Sequence, residues 1–343
     1  MEYNKLPGTN IEVSKICLGT MTWGTQNTKQ EAFDQMDYAI DNGVNFFDTA
    51  ELYPVPASAD TYATTEVYIG KWLESRKSRD KIILASKIAG PGDYTAHIRK
   101  TGFKGDSIET ALDQSLKRLK TDYLDLYQLH WPERLSNYFG NRNFKYFNDS
   151  WEDNFQEILL KLKKVIDSGK VRHVGLSNEN PWGIMKFLEY SKNELPKMIT
   201  IQNPYSLLNR LFEIGSGEIC KRENVGLLAY SPLGFGVLTG KYRNGNVPKN
   251  SRLDLFPTMS RYTNDNCKNA IELYHQIADK HNLTLTQLAL AFVNDRPFVT
   301  SNIIGATNIE QLKENIYSIN TKLSKEIIDE INLAQEKIPN PAP

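Results

Sequence analysis

Short apolar runs alternate with helix-like stretches along most of the chain, and this rhythm constrains the fold more than any other feature. The runs lie at 15–19, 45–48, 82–87, 123–130, 171–178, 198–202, 226–230 and 302–306. Between them apolar residues recur at helical spacing, as with Ala32, Phe33, Met36, Ala39 and Ile40 over 28–41. Further helices are expected near 64–76, 107–119, 151–167, from Pro181 onward, 209–223, 309–318 and 323–337. Asp106 or Ser107 provides an N-cap for the third, and Ser168-Gly169 a C-terminal stop for the fourth. Apolar runs this short, each followed by a helix, read as buried parallel strands. Eight of them predict an α/β fold that closes into a (β/α)8 TIM barrel. Residues 3–14, turning around Pro7-Gly8-Thr9-Asn10, predict a β-hairpin ahead of it. One barrel domain over 1–343, ending in the helix near 323–337, accounts for the whole chain, since barrels of this kind exceed the usual domain length.

A doubly wound sheet is the alternative architecture, but it announces a dinucleotide with GxGxxG after its first strand, and none is there. Gly234-Phe235-Gly236-Val237-Leu238-Thr239-Gly240 has the wrong spacing, and Lys241-Tyr242 after it misses the P-loop pattern. Charge narrows the partners. Lysine plus arginine number 41 and aspartate plus glutamate 41, so no basic excess exists for nucleic acid or an anionic membrane surface. Cys17, Cys220 and Cys267 are scattered and form no CxxC, which predicts free thiols rather than a zinc or redox motif. The five histidines include no HExxH, so no metal site is expected. No apolar stretch approaches a membrane span, and the expected location is cytoplasmic.

The carboxyl ends of the strands carry the chemistry. In order they present Asp48, Lys87, His130, Ser177-Asn178, Gln202-Asn203 and Tyr230-Ser231. One polar residue at a strand end means little, but six consecutive strands delivering polar side chains to one rim define a convergent site. Tyr53 follows Asp48 by five residues, in a loop stopped by Pro54 and Pro56. A lysine beside a tyrosine favours the phenolate, so Lys87 is expected to lower Tyr53 from its ordinary pKa of about 10. Asp48 would orient Lys87, and His130 would hydrogen-bond a substrate oxygen. A phenol so placed is a general acid for an oxygen becoming an alkoxide. Long connections at 88–106, 131–150 and 231–265 all follow strands and share that rim, as loops of a binding face do. Trp23, Tyr53 and Trp131 are candidates for the substrate pocket, and the loop aromatics Trp131, Tyr138, Phe139, Phe144, Tyr146, Phe147 and Trp151 are equally compatible with a substrate wall and with a hydrophobic satellite core.

Asp48, Tyr53, Lys87 and His130, in this order and on these strands, resemble the catalytic tetrad of the aldo-keto reductases. The resemblance runs from Leu18-Gly19-Thr20-Met21-Thr22-Trp23-Gly24 to Gly305-Ala306-Thr307 and Glu310-Gln311-Leu312-Lys313-Glu314-Asn315. Within the family it is strongest to the branch that includes the potassium-channel β-subunits. It implies NADPH bound without a Rossmann domain. Ser177, Asn178 and Gln202 would then hold the nicotinamide carboxamide, and Tyr230 would stack on the ring. Ser231, Leu233, Gly236 and Lys241 would line the pyrophosphate tunnel. Arg252, Thr307, Gln311 and Asn315 would hold the adenosine end, with Arg252 and Thr307 at the 2′-phosphate. Free N–H groups at the helix starting near 309 also favour a phosphate at Thr307. The chain departs from the family at Pro54, where many members carry Gly, and residues 54–63 form a longer insert beside the substrate mouth. The implied activity is reduction of an aldehyde or ketone, with hydride from the nicotinamide and a proton from Tyr53. The alternative from another class is a regulatory or redox-sensing subunit that binds NADPH and turns over negligibly. Monomer and homo-oligomer are equally compatible with the sequence.

Overall fold

The computed structural model describes residues 1–145, 150–192 and 194–342. Two short strands, β1 (Tyr3–Lys5) and β2 (Glu12–Ser14), pair antiparallel as the expected hairpin. Eight parallel strands follow: β3 (Ile16–Gly19), β4 (Phe46–Asp48), β5 (Ile83–Ile88), β6 (Leu124–Leu129), β7 (Val171–Ser177), β8 (Met198–Pro204), β9 (Gly226–Tyr230) and β10 (Val299–Ile304). Each pairs with the next, and β10 returns to β3, so the barrel is closed.

Two apolar layers hold it. Inside, Cys17, Phe46, Ala85, Leu126, Ile199, Leu228 and Ile303 pack with Leu6 and Val13 of the hairpin, which plugs the amino end. Outside, the larger cluster lies between strands and helices, with Phe47 tilted against Trp72 at a ring separation of 5.9 Å. Helix Thr64–Arg76 approaches helix Ser107–Leu119 at Gly70, where any Cβ would stand 2.0 Å from the Arg118 carbonyl oxygen.

Several expected boundaries move. The helix expected over 151–167 starts at Phe155, where Asp153 accepts a bond from the Phe155 N–H at 3.1 Å. The one expected over 209–223 is two helices, Leu211–Gly215 and Gly217–Glu223, broken where Gly215 lies against the Pro181 ring. The last strand begins three residues earlier than its apolar run, at Val299. Two helices were not foreseen, Asp265–Lys280 and Leu285–Asn294, and they fill the span between β9 and β10. Among the described residues no helix is long and apolar enough to cross a membrane.

Candidate active site

Barrel register brings the polar strand ends together. Asp48 is level with Gly19 on one side and Ala85 on the other, Lys87 with Gln128, and Ser177 with Gln202. Lys87 is fully buried, which an ammonium tolerates only with its donors satisfied. Its Nζ stands 2.6 Å from Asp48 Oδ2, 2.8 Å from the Thr49 carbonyl and 3.5 Å from the Tyr53 hydroxyl. Asp48 Oδ1 accepts from Gln202 Nε2 at 2.8 Å and from Gln128 Nε2 at 3.2 Å, so both carboxylate oxygens are engaged. The His130 ring meets the Tyr53 ring edge-on at 5.8 Å. The four residues named from sequence therefore meet at one point above the barrel.

Their electrostatics correct one expectation. Tyr53 is pushed well above its ordinary value, not lowered: burial is the main cause and the Asp48 charge adds to it. The Lys87 charge, paired with Asp48, does not outweigh that burial. Burial also holds His130 well below its ordinary value, with the Lys87 charge assisting. The imidazole is thus neutral, and its Nδ1 has no hydrogen-bond partner among the described residues.

Residues that sequence reasoning passed over complete the floor. Gln128 supports Asp48, and Glu51, fully buried, accepts the Ala89 N–H at 2.6 Å and pairs with Arg99 of the 88–106 loop. The Glu51 N–H also bonds the Lys87 carbonyl at 3.2 Å, so this acid fixes the end of β5. An acid three residues beyond Asp48, in a segment otherwise apolar, was the available signal.

A cavity of about 630 Å³ opens beside Tyr53 and His130 and runs to Thr307, Gln311 and Asn315. Asn178, Gln202, Tyr230, Ser231, Leu233, Gly236, Lys241 and Arg252 line it. Ser177 does not: its hydroxyl is turned to the Gln202 carbonyl at 2.9 Å. Asn178, in a left-handed conformation with φ of 52°, donates to the His130 carbonyl at 2.9 Å and accepts from the Tyr230 hydroxyl at 2.6 Å. Gly236, with φ of 93°, lets the chain turn tightly beside Lys241. At the far end the Thr307 N–H is not free, since Gln311 Oε1 accepts it at 3.0 Å, and Asn308 accepts the Gln311 N–H at 2.9 Å. Gln311 would have to turn away for a phosphate to use the Thr307 N–H.

Trp131 lines the cavity, with its ring 4.9 Å from His130. Trp23 is displaced from its expected place: it is wholly buried in the outer core, with Nε1 donating to Gln35 at 3.2 Å, and it lines no part of the cavity. Of the loop aromatics, Tyr138 and Phe139 line the cavity, Trp151 packs against Phe155, and Tyr146 and Phe147 lie outside the described residues.

A closed parallel barrel with a lysine–carboxylate pair, a phenol and an imidazole at its carboxyl mouth, beside an elongated cavity, is the framework of a barrel oxidoreductase. Comparison fixes the family. The aldo/keto reductase family model matches residues 15–336, and the chain belongs to that family. It is similar to protein tas of Escherichia coli, 44% identical over the full length of both chains. It is also similar to the uncharacterized oxidoreductase YrpG of Bacillus subtilis, 33% identical with 97% of this chain and 95% of that protein covered. Norsolorinic acid reductase B of Dothistroma septosporum is 26% identical, over 97% of this chain and 81% of that protein. Membership makes the protein an oxidoreductase, in a family that typically uses a nicotinamide cofactor and takes small-molecule carbonyl substrates.

Proposed function

We propose that the protein is an NADPH-dependent reductase of an aldehyde or ketone, with Tyr53 as proton donor. The observation that carries the reading is the contact of Lys87 with Asp48, Thr49 and Tyr53 in a buried floor, at the end of a cavity that runs from Tyr53 to Thr307, Gln311 and Asn315. The residues present suit that cofactor. Lys241 and Arg252 line the cavity and have no carboxylate partner among the described residues, and Arg252 is buried enough for its guanidinium to be lowered. Both are partly buried, and cations in such a place without acids suit an anionic ligand. Lys241 would hold the pyrophosphate, Arg252 and Thr307 the 2′-phosphate, and Gln311 and Asn315 the adenosine. Asn178 and Gln202 would hold the carboxamide, exchanging contacts they now make with the protein, and Tyr230 would lie against the ring.

When bound, the nicotinamide supplies the hydride. Neutral His130 orients the substrate carbonyl by hydrogen bonding to its oxygen. Tyr53, held protonated by its burial, gives its proton to that oxygen as negative charge builds there. An alkoxide is a stronger base than an ordinary phenolate, so the charge growing on the substrate oxygen draws the proton toward it. Lys87, fixed by Asp48 and the Thr49 carbonyl, stabilises the phenolate left behind, and Gln128 and Gln202 keep Asp48 turned toward it.

Tyr53→Phe tests this. General acids contribute roughly 10²–10⁴-fold, so kcat for aldehyde reduction should fall by about that factor. NADPH affinity, read from quenching of protein fluorescence, should stay within about threefold. An active variant refutes the assignment. Stopped-flow mixing of the NADPH-loaded protein with an aldehyde panel separates reductase from sensor, because a sensor with negligible turnover shows no burst of cofactor oxidation.

A further inference from the structure

One cation in the cavity is used neither by the tetrad nor by the cofactor contacts assigned above. Arg261 lines the cavity, mostly buried, and no carboxylate of the described residues pairs with it. Its neighbours are rings: the guanidinium stands 5.6 Å from the Phe235 ring and 5.9 Å from those of Phe139 and Tyr262. Aromatic faces offset part of the cost of burying a guanidinium, but they supply no formal negative charge.

Its position points to the substrate side. Tyr53 meets His130, His130 meets Trp131 at 4.9 Å, and Trp131 meets Phe139 at 5.7 Å, so a continuous aromatic wall leads from the proton donor to Arg261. Tyr230, which lines the same cavity, donates to Asn178, and Asn178 donates to the His130 carbonyl, so a polar chain flanks the space. Gly140 follows Phe139, and a Cβ there would come within 3.0 Å of Arg261 Nε, so the 131–150 loop closes directly on this side chain.

We infer that Arg261 binds an anionic group of the substrate, and that the preferred substrates are carbonyl compounds carrying a carboxylate beyond an apolar body. The aldehyde or ketone end lies at Tyr53 and His130, the body runs along Trp131 and Phe139, and the planar guanidinium fork receives the carboxylate. The inference rests on the carbonyl-reductase reading, and its test keeps the two apart. Values of kcat/KM are measured for 4-carboxybenzaldehyde and for neutral 4-methylbenzaldehyde, with the unchanged protein, Arg261→Met and Arg261→Lys. NADPH dissociation constants are taken from fluorescence titration of each. The unchanged protein should favour the carboxylate. A charged hydrogen bond is worth enough that the preference ratio should fall about tenfold or more in Arg261→Met, and by less in Arg261→Lys. A ratio that stays constant, or a native preference for the neutral aldehyde, overturns the inference. A constant ratio with weakened NADPH binding moves Arg261 to the cofactor. Reduction of neither aldehyde at any concentration overturns the carbonyl-reductase reading itself.

Discussion

Lys87 is an ammonium with no water around it, and its neighbours decide whether the site exists at all. Removing one partner of a buried ion pair costs more than the pair contributes, because the other charge is left in a low-dielectric interior. Asp48→Asn should therefore lower unfolding free energy by about 3–5 kcal/mol in urea titrations. A loss below about 1 kcal/mol would mean that water reaches Lys87. The pH behaviour follows from the same burial. With Tyr53 raised and His130 lowered, neither group titrates near neutrality, so kcat should be flat across about pH 6–9 as far as these two are concerned. For stability the direction is fixed by where the proton goes first. The folded His130 binds it only well below the ordinary value of 6.5, so the unfolded chain takes it up first as pH falls. The stability this residue contributes is complete above about pH 6.5 and declines below it. His130→Gln should flatten that part of the curve in denaturant titrations at graded pH. An identical slope in the variant would place the acid sensitivity elsewhere.

At the scale of elements, helix 64–76 shows how a single position sets a packing distance. Gly70 lets it touch helix 107–119, and Glu66, one turn earlier, binds Ser86 of β5 at 2.6 Å and Arg118 at 2.7 Å. Gly70→Ala would drive a methyl group into the Arg118 carbonyl, since backbone cannot yield as a flexible side chain can. The gain in helix propensity is about 1 kcal/mol, whereas overpacking costs about 1–3 kcal/mol or more, so the variant should melt lower. A raised melting temperature would show that the helices can slide apart freely. The strands were readable because each is a short apolar run, and six of the eight end in a polar residue at the rim. Asp48, Lys87 and His130 followed from that alone. The helices at 265–280 and 285–294 were missed because no element was assigned between the 231–265 connection and the last strand. Yet Thr284 and Gln287 form a capping box, and Asn264 accepts the Cys267 N–H at 3.0 Å. Both caps were present as residues. Gln128, Glu51 and Arg261 were invisible for another reason: Glu51 and Gln128 find their partners 38 or more residues away, and Arg261 meets Phe139 of a different loop, which only closure of the barrel supplies.

Across the whole molecule, the end of the described chain fastens the face on which the site lies. Asn340 accepts the Arg210 N–H at 2.7 Å, and Ala342, fully buried, donates to the Leu208 carbonyl at 3.1 Å. The Pro341 carbonyl accepts from Asn264 at 2.9 Å and also from Arg142. The tail thus joins the loops after β6, β8 and β9, and the last of these carries Lys241, Arg252 and Arg261. Net hydrogen bonds contribute about 0.5–1.5 kcal/mol each, so removing residues 339–343 should cost roughly 2–4 kcal/mol. The more informative effect is on the site. With its ties to Asn264 and Arg142 gone, the 231–265 loop should sample open positions, and NADPH affinity should fall by that open fraction. Tyr53, Lys87 and Asp48 stand on strand ends and the loop beside them, so kcat at saturating NADPH should change far less than the dissociation constant. Fluorescence titration and saturating kinetics on the same truncated protein measure both. If NADPH binds as tightly as before, the loop is held by its own contacts, chiefly the Arg243–Glu272 pair at 2.7 Å, and the tail serves only the fold.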